Sequence, residues 1–306
     1  MKTLSAFQIS LALAPLLASS SACNSNQTTT TFATPQDAMH EVASIAETGD
    51  CARAERVLGP EGVHLLQCDD DPDAREDGAM IKAAIEQQLA FADEGADTKL
   101  ALIGTDEWPF PIPLVEDHGR WRFDVDAGRD ELKNRRVGQN ELLTLATLHE
   151  CVSAQQEYAA RSHDGKAPCF ACRIASADGK HDGLYWNEPD SETTSPIGPL
   201  LAGATRDDEG KSKSAAPYHG YYFRCLTCQG KHAPGGEQKY ADEKGSMTRG
   251  FALLAWPADY GESGVMTFQV SHRGIVYQKD LGSDTESLAA AIKSFDPDKT
   301  WEPTSD

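Results

Sequence analysis

The residues best suited to chemistry in this sequence are its eight cysteines. Four of them form two C-x-x-C pairs, Cys169 with Cys172 and Cys225 with Cys228. Thiols at this spacing bind zinc, exchange disulfides or form structural bridges. However, 52 residues separate the two pairs, far more than the roughly 15–20 of a zinc ribbon. The spacing therefore favours structural disulfides, and it leaves open a zinc site made by all four residues and a redox-active dithiol.

Strand geometry restricts how these cysteines can pair. In a regular strand Cys225 and Cys228 point to opposite faces, so a bond between them requires a turn. Bridges from one C-x-x-C pair to the other would join the loop after a predicted long helix to a predicted sheet. The sequence does not decide the connectivity.

The remaining cysteines stand in different contexts. Cys51 and Cys68 flank a predicted helical segment and are expected to form a disulfide in an oxidising compartment. Cys151 lies among apolar residues of the long helix, where a buried free thiol is expected. Cys23 follows the small residues of 20–22 and occupies the position that is lipidated in bacterial lipoproteins.

The N-terminus predicts export. One positive charge, at Lys2, precedes an apolar run over 4–18, which is too short to span a bilayer as a mature helix. We therefore expect a signal peptide over 1–22 and a polar tether over 23–32. The mature protein is expected in the periplasm or on the outer membrane, held there only by a lipid anchor. The alternative is cleavage nearby, which would give a soluble secreted protein, since Ser20 stands where a lipobox usually has Leu.

Charge and motifs exclude several functions. The net charge of -20 over 306 residues argues against nucleic-acid binding, because no basic surface is available to neutralise phosphates. The sequence contains no G-x-S-x-G elbow, H-E-x-x-H motif, P-loop or dinucleotide fingerprint. We therefore assign no catalytic or cofactor-binding residue, expect no cofactor, and favour a non-enzymatic role.

The pattern predicts an N-terminal α+β unit over 33–126. Thr34 is a suitable N-cap, and Pro35 suits the first helical position. Further helices are predicted over 51–58 and 77–93, with strands over 100–103 and 121–125. The segment 108–113 contains three alternating prolines, which indicates an extended edge or a packed loop.

A second α+β unit is predicted over 127–306. It begins with a helix over about 130–160, whose apolar face indicates packing against a sheet. Irregular connections follow, and then an antiparallel β-meander over 218–282. Alternation in the run 265–270 predicts one buried face and one face exposed to water. A capping box at 283–286 predicts a last helix over 286–295.

Seven separate segments resemble one bacterial family, the domain of unknown function 2950, in the expected order. These segments are 34–38, 108–115, 138–141, 182–186, 219–222, 250–252 and 277–282. The resemblance implies an exported protein without an assigned activity, and it brings no catalytic residues. At the level of fold alone, the long helix and the meander also resemble pilin-like and pseudopilin-like globular domains.

The sequence thus favours a non-enzymatic cell-envelope protein that binds an unknown envelope partner or has a structural role. Aromatic residues are candidates for its binding surface, with core packing as the alternative for most of them: Tyr185, Trp186, Tyr221 and Tyr222. Two other hypotheses depend on the C-x-x-C pairs. One is an envelope enzyme or thiol-redox protein, and the other is a metal-binding module.

Overall fold

A computed structural model describes residues 30–66, 72–187, 194–206 and 216–305, with only the backbone described for residue 61 and residues 72–77. The chain forms two compact units, Met1–Lys133 and Asn134–Asp306. Each unit contains helices and antiparallel strands, so the fold is α+β. No helix within the described ranges is both long enough and apolar enough to cross a membrane.

The first unit packs three helices with an antiparallel sheet. Its elements are α1 Pro35–Thr48, α2 Cys51–Leu65, α3 Pro72–Gln87, β1 Leu89–Asp93, β2 Thr98–Ile103, β3 Trp108–Pro109, β4 Leu114–Asp117 and β5 Arg120–Phe123. The strand order is β1-β2-β4-β5, and β3 pairs with β2. Met39, Ile45, Leu58, Phe110 and Phe123 are fully buried in its core.

Local signals at the start of α1 act as predicted. Thr34 Oγ1 accepts a hydrogen bond from Asp37 N (3.1 Å), and Asp37 Oδ2 accepts one from Thr34 N (3.1 Å). This reciprocal pair satisfies two of the free N–H groups at the helix start. The proline-rich segment also lies where it was expected, because Pro109 pairs with Leu102 while Phe110 and Ile112 are buried.

One prediction in this unit is confirmed and one is wrong. The helix predicted over 51–58 ends where expected, because Gly59 is not helical (φ 73, ψ -176), and a second helical piece follows this break, so that α2 spans Cys51–Leu65. Residues 89–93 are not helical, because they form β1 and pair with β2, Leu89 opposite Ile103. Pairing along a whole strand outweighs the helical preference of Leu89, Ala90 and Ala92.

The long helix is α4, Val125–Ala159, and the division between the units falls within it. It continues through Gly138 as a single helix. Leu142, which the helical periodicity assigns to the apolar face, is 53% exposed, whereas Leu148 and Cys151 are fully buried. Polar Thr144, Thr147 and Gln155 complete the buried face of α4.

The second unit contains a five-stranded antiparallel sheet. Its elements after α4 are β6 Arg173–Ala175, β7 Gly183–Tyr185, α5 Pro199–Gly203, β8 Tyr221–Leu226, β9 Cys228–Gln229, β10 Gln238–Lys239, β11 Ala252–Pro257, β12 Met266–Ser271, β13 Val276–Asp280, α6 Thr285–Ala291 and β14 Glu302–Pro303. The strand order is β14-β13-β12-β11-β8, which confirms the predicted antiparallel sheet. Residues of α4 belong to the same buried cluster as the strands, as predicted.

The prediction that one face of this sheet meets water is wrong. Thr267, Gln269 and Ser271 are at most 1% exposed. Arg224, on the same face, donates to Ala289 O (2.8 Å) and to Ile292 O. The last helix and the chain after it therefore cover the face that alternation assigned to solvent.

The predicted capping box of the last helix does not form. Asp284 is the N-cap of α6 and makes no side-chain capping bond. Thr285 Oγ1 instead donates to Gly282 O (2.6 Å). The helix ends at Ala291, so residues 292–295 are not helical, and Phe295 is buried in the core instead.

Candidate functional site

Of the three cysteines predicted to carry a lipid or form a disulfide in the N-terminal part, only one lies within the described ranges. Cys23, the predicted lipidation site, and Cys68 lie outside them. Cys51 is the first residue of α2, and its Sγ lies 3.6 Å from Gly49 O. The Cys51–Cys68 disulfide therefore stays a prediction.

The first C-x-x-C pair is held by α4. Gln155 is fully buried, and its amide makes two hydrogen bonds to Ala171, donating to Ala171 O (3.0 Å) and accepting from Ala171 N (2.9 Å). Phe170 N donates to Met247 O (2.9 Å) on the other side of the loop. The two residues between the cysteines are thus fixed, and the thiols flank a rigid segment.

Cys169 and Cys172 line one small cleft, here called the thiol cleft, between the end of α4 and the turns that follow it. Its free space is about 30 Å³, enough for one or two water molecules. Cys172 Sγ donates to Asp182 O (3.3 Å). Burial raises the pKa of the Cys169 thiol, and the nearby Lys166 ammonium only partly opposes this. A reactive cysteine has a lowered pKa, so this thiol is not activated.

A histidine–aspartate pair lies beside the thiols. Asp164 Oδ2 accepts from His181 N (2.8 Å), and His181 Nδ1 lies 3.0 Å from Asp164 Oδ1. The hydrogen bond from the His181 backbone holds the pKa of Asp164 below its usual value. Sequence reasoning missed this pair, because the two residues are 17 positions apart and belong to no motif.

Aromatic rings form the wall next to this pair. His163 stacks on Tyr158 with ring centroids 3.9 Å apart, and the Trp186 ring contacts both His163 (5.8 Å) and His181 (4.8 Å). Tyr158 Oη donates to His181 O. Burial raises the pKa of Tyr158, so its hydroxyl stays protonated. The cluster is a packed wall rather than a set of exposed reactive groups.

The second C-x-x-C pair points in two directions, as strand geometry predicts. Cys225 lies in β8 opposite Leu253 and packs against the core of the second unit. Cys228 begins β9 after a break at Thr227, and its Sγ donates to Lys293 O (3.5 Å). The two thiols therefore face different neighbours.

The four C-x-x-C cysteines are not assembled into one site. Across the described ranges no two cysteines lie at disulfide distance. Nor do these ranges hold a group of three or more His, Cys, Asp or Glu side chains placed to bind a metal ion. The zinc alternative thus gains no support from the structure, and the predicted bridges stay predictions.

Cys151 is the buried thiol that its helical context predicted. It is fully buried on α4, and burial raises its pKa to about 12. At neutral pH it therefore remains a protonated thiol within the core.

The candidate aromatics divide into core and surface residues. Tyr221 is fully buried and Trp186 is 6% exposed. Tyr185 and Tyr222 are half-buried, and the Arg206 guanidinium lies 3.7 Å from the centre of the Tyr222 ring. Of the four candidates, Tyr185 and Tyr222 keep accessible surface.

A larger cleft lies beside Tyr185, with a free volume of about 460 Å³. We call it the β6–β7 cleft. Its walls are the two parallel strands β6 and β7, the turn over 176–180 that follows β6, and the short helix α5. This volume falls within the roughly 300–1,000 Å³ of small-molecule sites.

The strand register places Tyr185 at this cleft. In β7 Leu184 is fully buried, and Tyr185, the next residue, points to the opposite face. Ala175 of β6 is the register partner of Tyr185, and its small side chain leaves room beside the ring. Gly183 allows this close approach, because a Cβ there would lie 2.6 Å from Ser176 N.

Comparison with known proteins yields one match. The model of a family described as "Protein of unknown function (DUF2950)" matches residues 29–304. No curated protein and no solved structure matches the chain. The pilin-like similarity of the C-terminal unit therefore stays a prediction. Since the match covers nearly the whole sequence, the chain belongs to the DUF2950 family.

Proposed function

We propose that this protein is an exported cell-envelope protein, anchored by a lipid on Cys23, that binds a small ligand without chemical turnover. The observation that carries the binding role is the β6–β7 cleft, a concave site of about 460 Å³ that is lined by an aromatic ring and a few polar groups. Ligand sites generally combine these features. Export and lipidation are supported by the sequence of residues 1–31.

The raised pKa of Cys169, the best candidate nucleophile, supports the absence of turnover. Burial raises the pKa of Cys169, whereas catalytic cysteines need a lowered pKa. The Tyr158 hydroxyl, next to it, is held protonated in the same way. Packing therefore opposes the activation of the groups that line the thiol cleft.

Binding is tested with the chain that lacks residues 1–22. We expect one or more members of a panel of envelope-derived small molecules to raise its melting temperature by mass action. The variant Gly203→Trp should abolish this shift, because Gly203 lines the cleft and a Cβ there meets no atom within 4 Å. Gly138→Trp is the matched control, since that glycine also meets nothing within 4 Å and lies outside the cleft. Conversion of a panel member to product would refute the non-enzymatic role.

The anchor is tested by the intact mass of the protein purified from its native envelope. We expect a mass that starts at Cys23 and includes acyl chains. An unacylated mass would refute the anchor and favour a soluble secreted protein. Reduction before a second measurement counts the disulfides, since each bridge adds two hydrogens when it is reduced.

A thiol-redox role is the second candidate, because Cys169 and Cys172 line the same cleft. Such a role requires that the pair cycles between dithiol and disulfide under mild reductant. Mass mapping after graded reduction distinguishes the two proposals. Opening of a Cys169–Cys172 bridge by mild reductant would support the redox role, and resistance of that bridge would refute it.

A further inference from the structure

We infer that the β6–β7 cleft binds a saccharide, that is, a neutral ligand with a ring of hydroxyl groups and an apolar C–H face. This inference rests on the proposed binding function and names the ligand class of the same cleft.

Four polar side chains at the cleft, three of them exposed and one half-buried, have no partner among the described residues, whereas Ser176 Oγ, which also lines the cleft, accepts from Gly183 N (2.9 Å). Within the described ranges no hydrogen bond or ion pair engages the side chains of Asp178, Lys180, Tyr185 or Asn187, although all four line the cleft. Together they offer a carboxylate, an ammonium, a phenol and an amide, which both donate and accept hydrogen bonds. Hydroxyl groups also donate and accept, so they match this mixed set.

The ring of Tyr185 supplies the apolar surface. It is half-buried, and no ring contact with another described residue covers it. Ala175, Ala177 and Ala202 add small apolar side chains to the lining. A flat aromatic ring among small residues suits a ligand with a flat apolar face.

Charge at the cleft favours a neutral ligand. Asp178 and Lys180 line the turn at its edge and carry opposite charges, so their net contribution is zero. A phosphate or a carboxylate would meet one favourable and one unfavourable charge. A long acyl chain would make no hydrogen bond to these two charged groups or to Asn187, which are exposed.

Strand addition by an extended peptide is disfavoured by the edge of β7. Ile197 N donates to Leu184 O (3.4 Å), and Ser195 Oγ bonds both Trp186 N (2.9 Å) and Trp186 O (2.8 Å). Main-chain groups that a peptide strand would need are therefore already engaged.

The test is titration calorimetry of the chain that lacks residues 1–22, with cellotetraose and with the tetrasaccharide of N-acetylglucosamine. We expect one of them to bind with a Kd of millimolar or lower. Tyr185→Ala should weaken this binding roughly tenfold or more, since stacking on an aromatic ring contributes on the order of 1.5 kcal/mol. Gly203→Trp should abolish it by filling the cleft.

The control variant is Tyr260→Ala. Tyr260 is also half-buried, but its hydroxyl donates to Asp280 Oδ2 (3.2 Å) and it does not line the cleft. Saccharide binding should be unchanged in this variant. Binding that all three variants leave intact would overturn the inference, because the ligand would then lie elsewhere.

Two further probes separate failure of the inference from failure of the proposed function. Tetra-alanine represents a peptide, and dodecanoate represents an acyl chain. If only one of these binds, and Gly203→Trp abolishes that binding, the saccharide inference is overturned while the cleft remains a ligand site. If no probe and no saccharide binds up to millimolar concentration, the inference and the binding role of the cleft are both refuted.

Discussion

Replacement of Gln155 by Leu should release the loop that carries Cys169 and Cys172. Gln155 is fully buried on α4, and its amide makes both hydrogen bonds of the Ala171 backbone, which is itself only 1% exposed. Leucine has a similar size but neither donates nor accepts. The variant therefore leaves a buried N–H and a buried C=O unpaired.

The expected cost follows from these two groups. A buried polar group that loses its partner costs about 1–3 kcal/mol. Burial of the more apolar Leu side chain offsets about 1 kcal/mol of this. We therefore expect a net loss of about 1–5 kcal/mol in the free energy that opens the loop, which corresponds to roughly 5- to 4,000-fold faster exchange of the Ala171 amide.

Native-state hydrogen exchange, followed by NMR, measures this rate directly. Gln156→Leu is the matched control, because Gln156 is the next residue of the same helix and is exposed. The reasoning is refuted if the Ala171 amide exchanges at the same rate in both variants. Faster exchange in Gln155→Leu alone would show that one buried amide holds the C-x-x-C loop.

Three further predictions concern Arg224, Cys151 and His272 of the second unit. Arg224→Met should lower the free energy of unfolding by about 3 kcal/mol, because two carbonyl groups at the end of α6 lose a charged donor. Urea unfolding measures this loss, with Arg249→Met, at an exposed arginine, as the control. Cys151 should resist thiol reagents at pH 8 in the native protein and react only after denaturation, because its pKa is about 12 and it is fully buried; labelling at that cysteine without denaturant would contradict this. Burial lowers the pKa of His272 below 6.5 in the folded state. As the pH falls below about 6.5, the unfolded state therefore binds a proton that the folded state does not bind, and the stability that His272 contributes is lost. His272→Phe should flatten this loss, measured as unfolding free energy between pH 7.5 and 5.5, whereas His118→Phe at a 97% exposed side chain should not.

Local signals in the sequence were sufficient for part of the fold. The start of α1 depends on residues 34–37 alone, so Thr34 and Asp37 identify it without tertiary information. The strands of the C-terminal sheet are also visible, because apolar and β-branched residues alternate between glycines. Each of these features is determined by residues close together in the chain.

The wrong predictions concern residues whose structure depends on segments far away in the sequence. The alternation of side chains in β12 identifies two faces of the strand, but it does not show what covers each face. Residues beyond 285 bury the face that carries Gln269, and Gln269 Oε1 accepts a hydrogen bond from Asp296 N (3.2 Å). Residues 89–93 become a strand because β2 is available to pair with them. Neither outcome can be obtained from the local pattern, since the deciding partner lies elsewhere in the sequence.

The sequence alone did not identify the β6–β7 cleft for the same reason, because its walls come from segments that are separate in the sequence. The segment 182–186 was interpreted as a connection, and it is β7 with the residues next to it. Tyr185 was named as a candidate for a binding surface, but its neighbours at the cleft come from β6 and α5. Asp178 and Lys180 carry no motif, so only the parallel pairing of β6 with β7 brings them to the ring.

The alternation of side-chain directions along β7 also explains why the β6–β7 cleft is suited to binding. Leu184 and Trp186 are buried in one cluster with Tyr158 and Ala171, which fixes the backbone on both sides of Tyr185. A ring held on a fixed strand loses little conformational freedom when a ligand stacks on it, so less binding energy is spent on ordering the protein. A substitution that loosens Trp186 should therefore weaken ligand binding even though the Tyr185 ring is unchanged. The same substitution would also remove the ring contacts to His163 and His181, so the wall of the thiol cleft and the aromatic side of the β6–β7 cleft depend on one side chain.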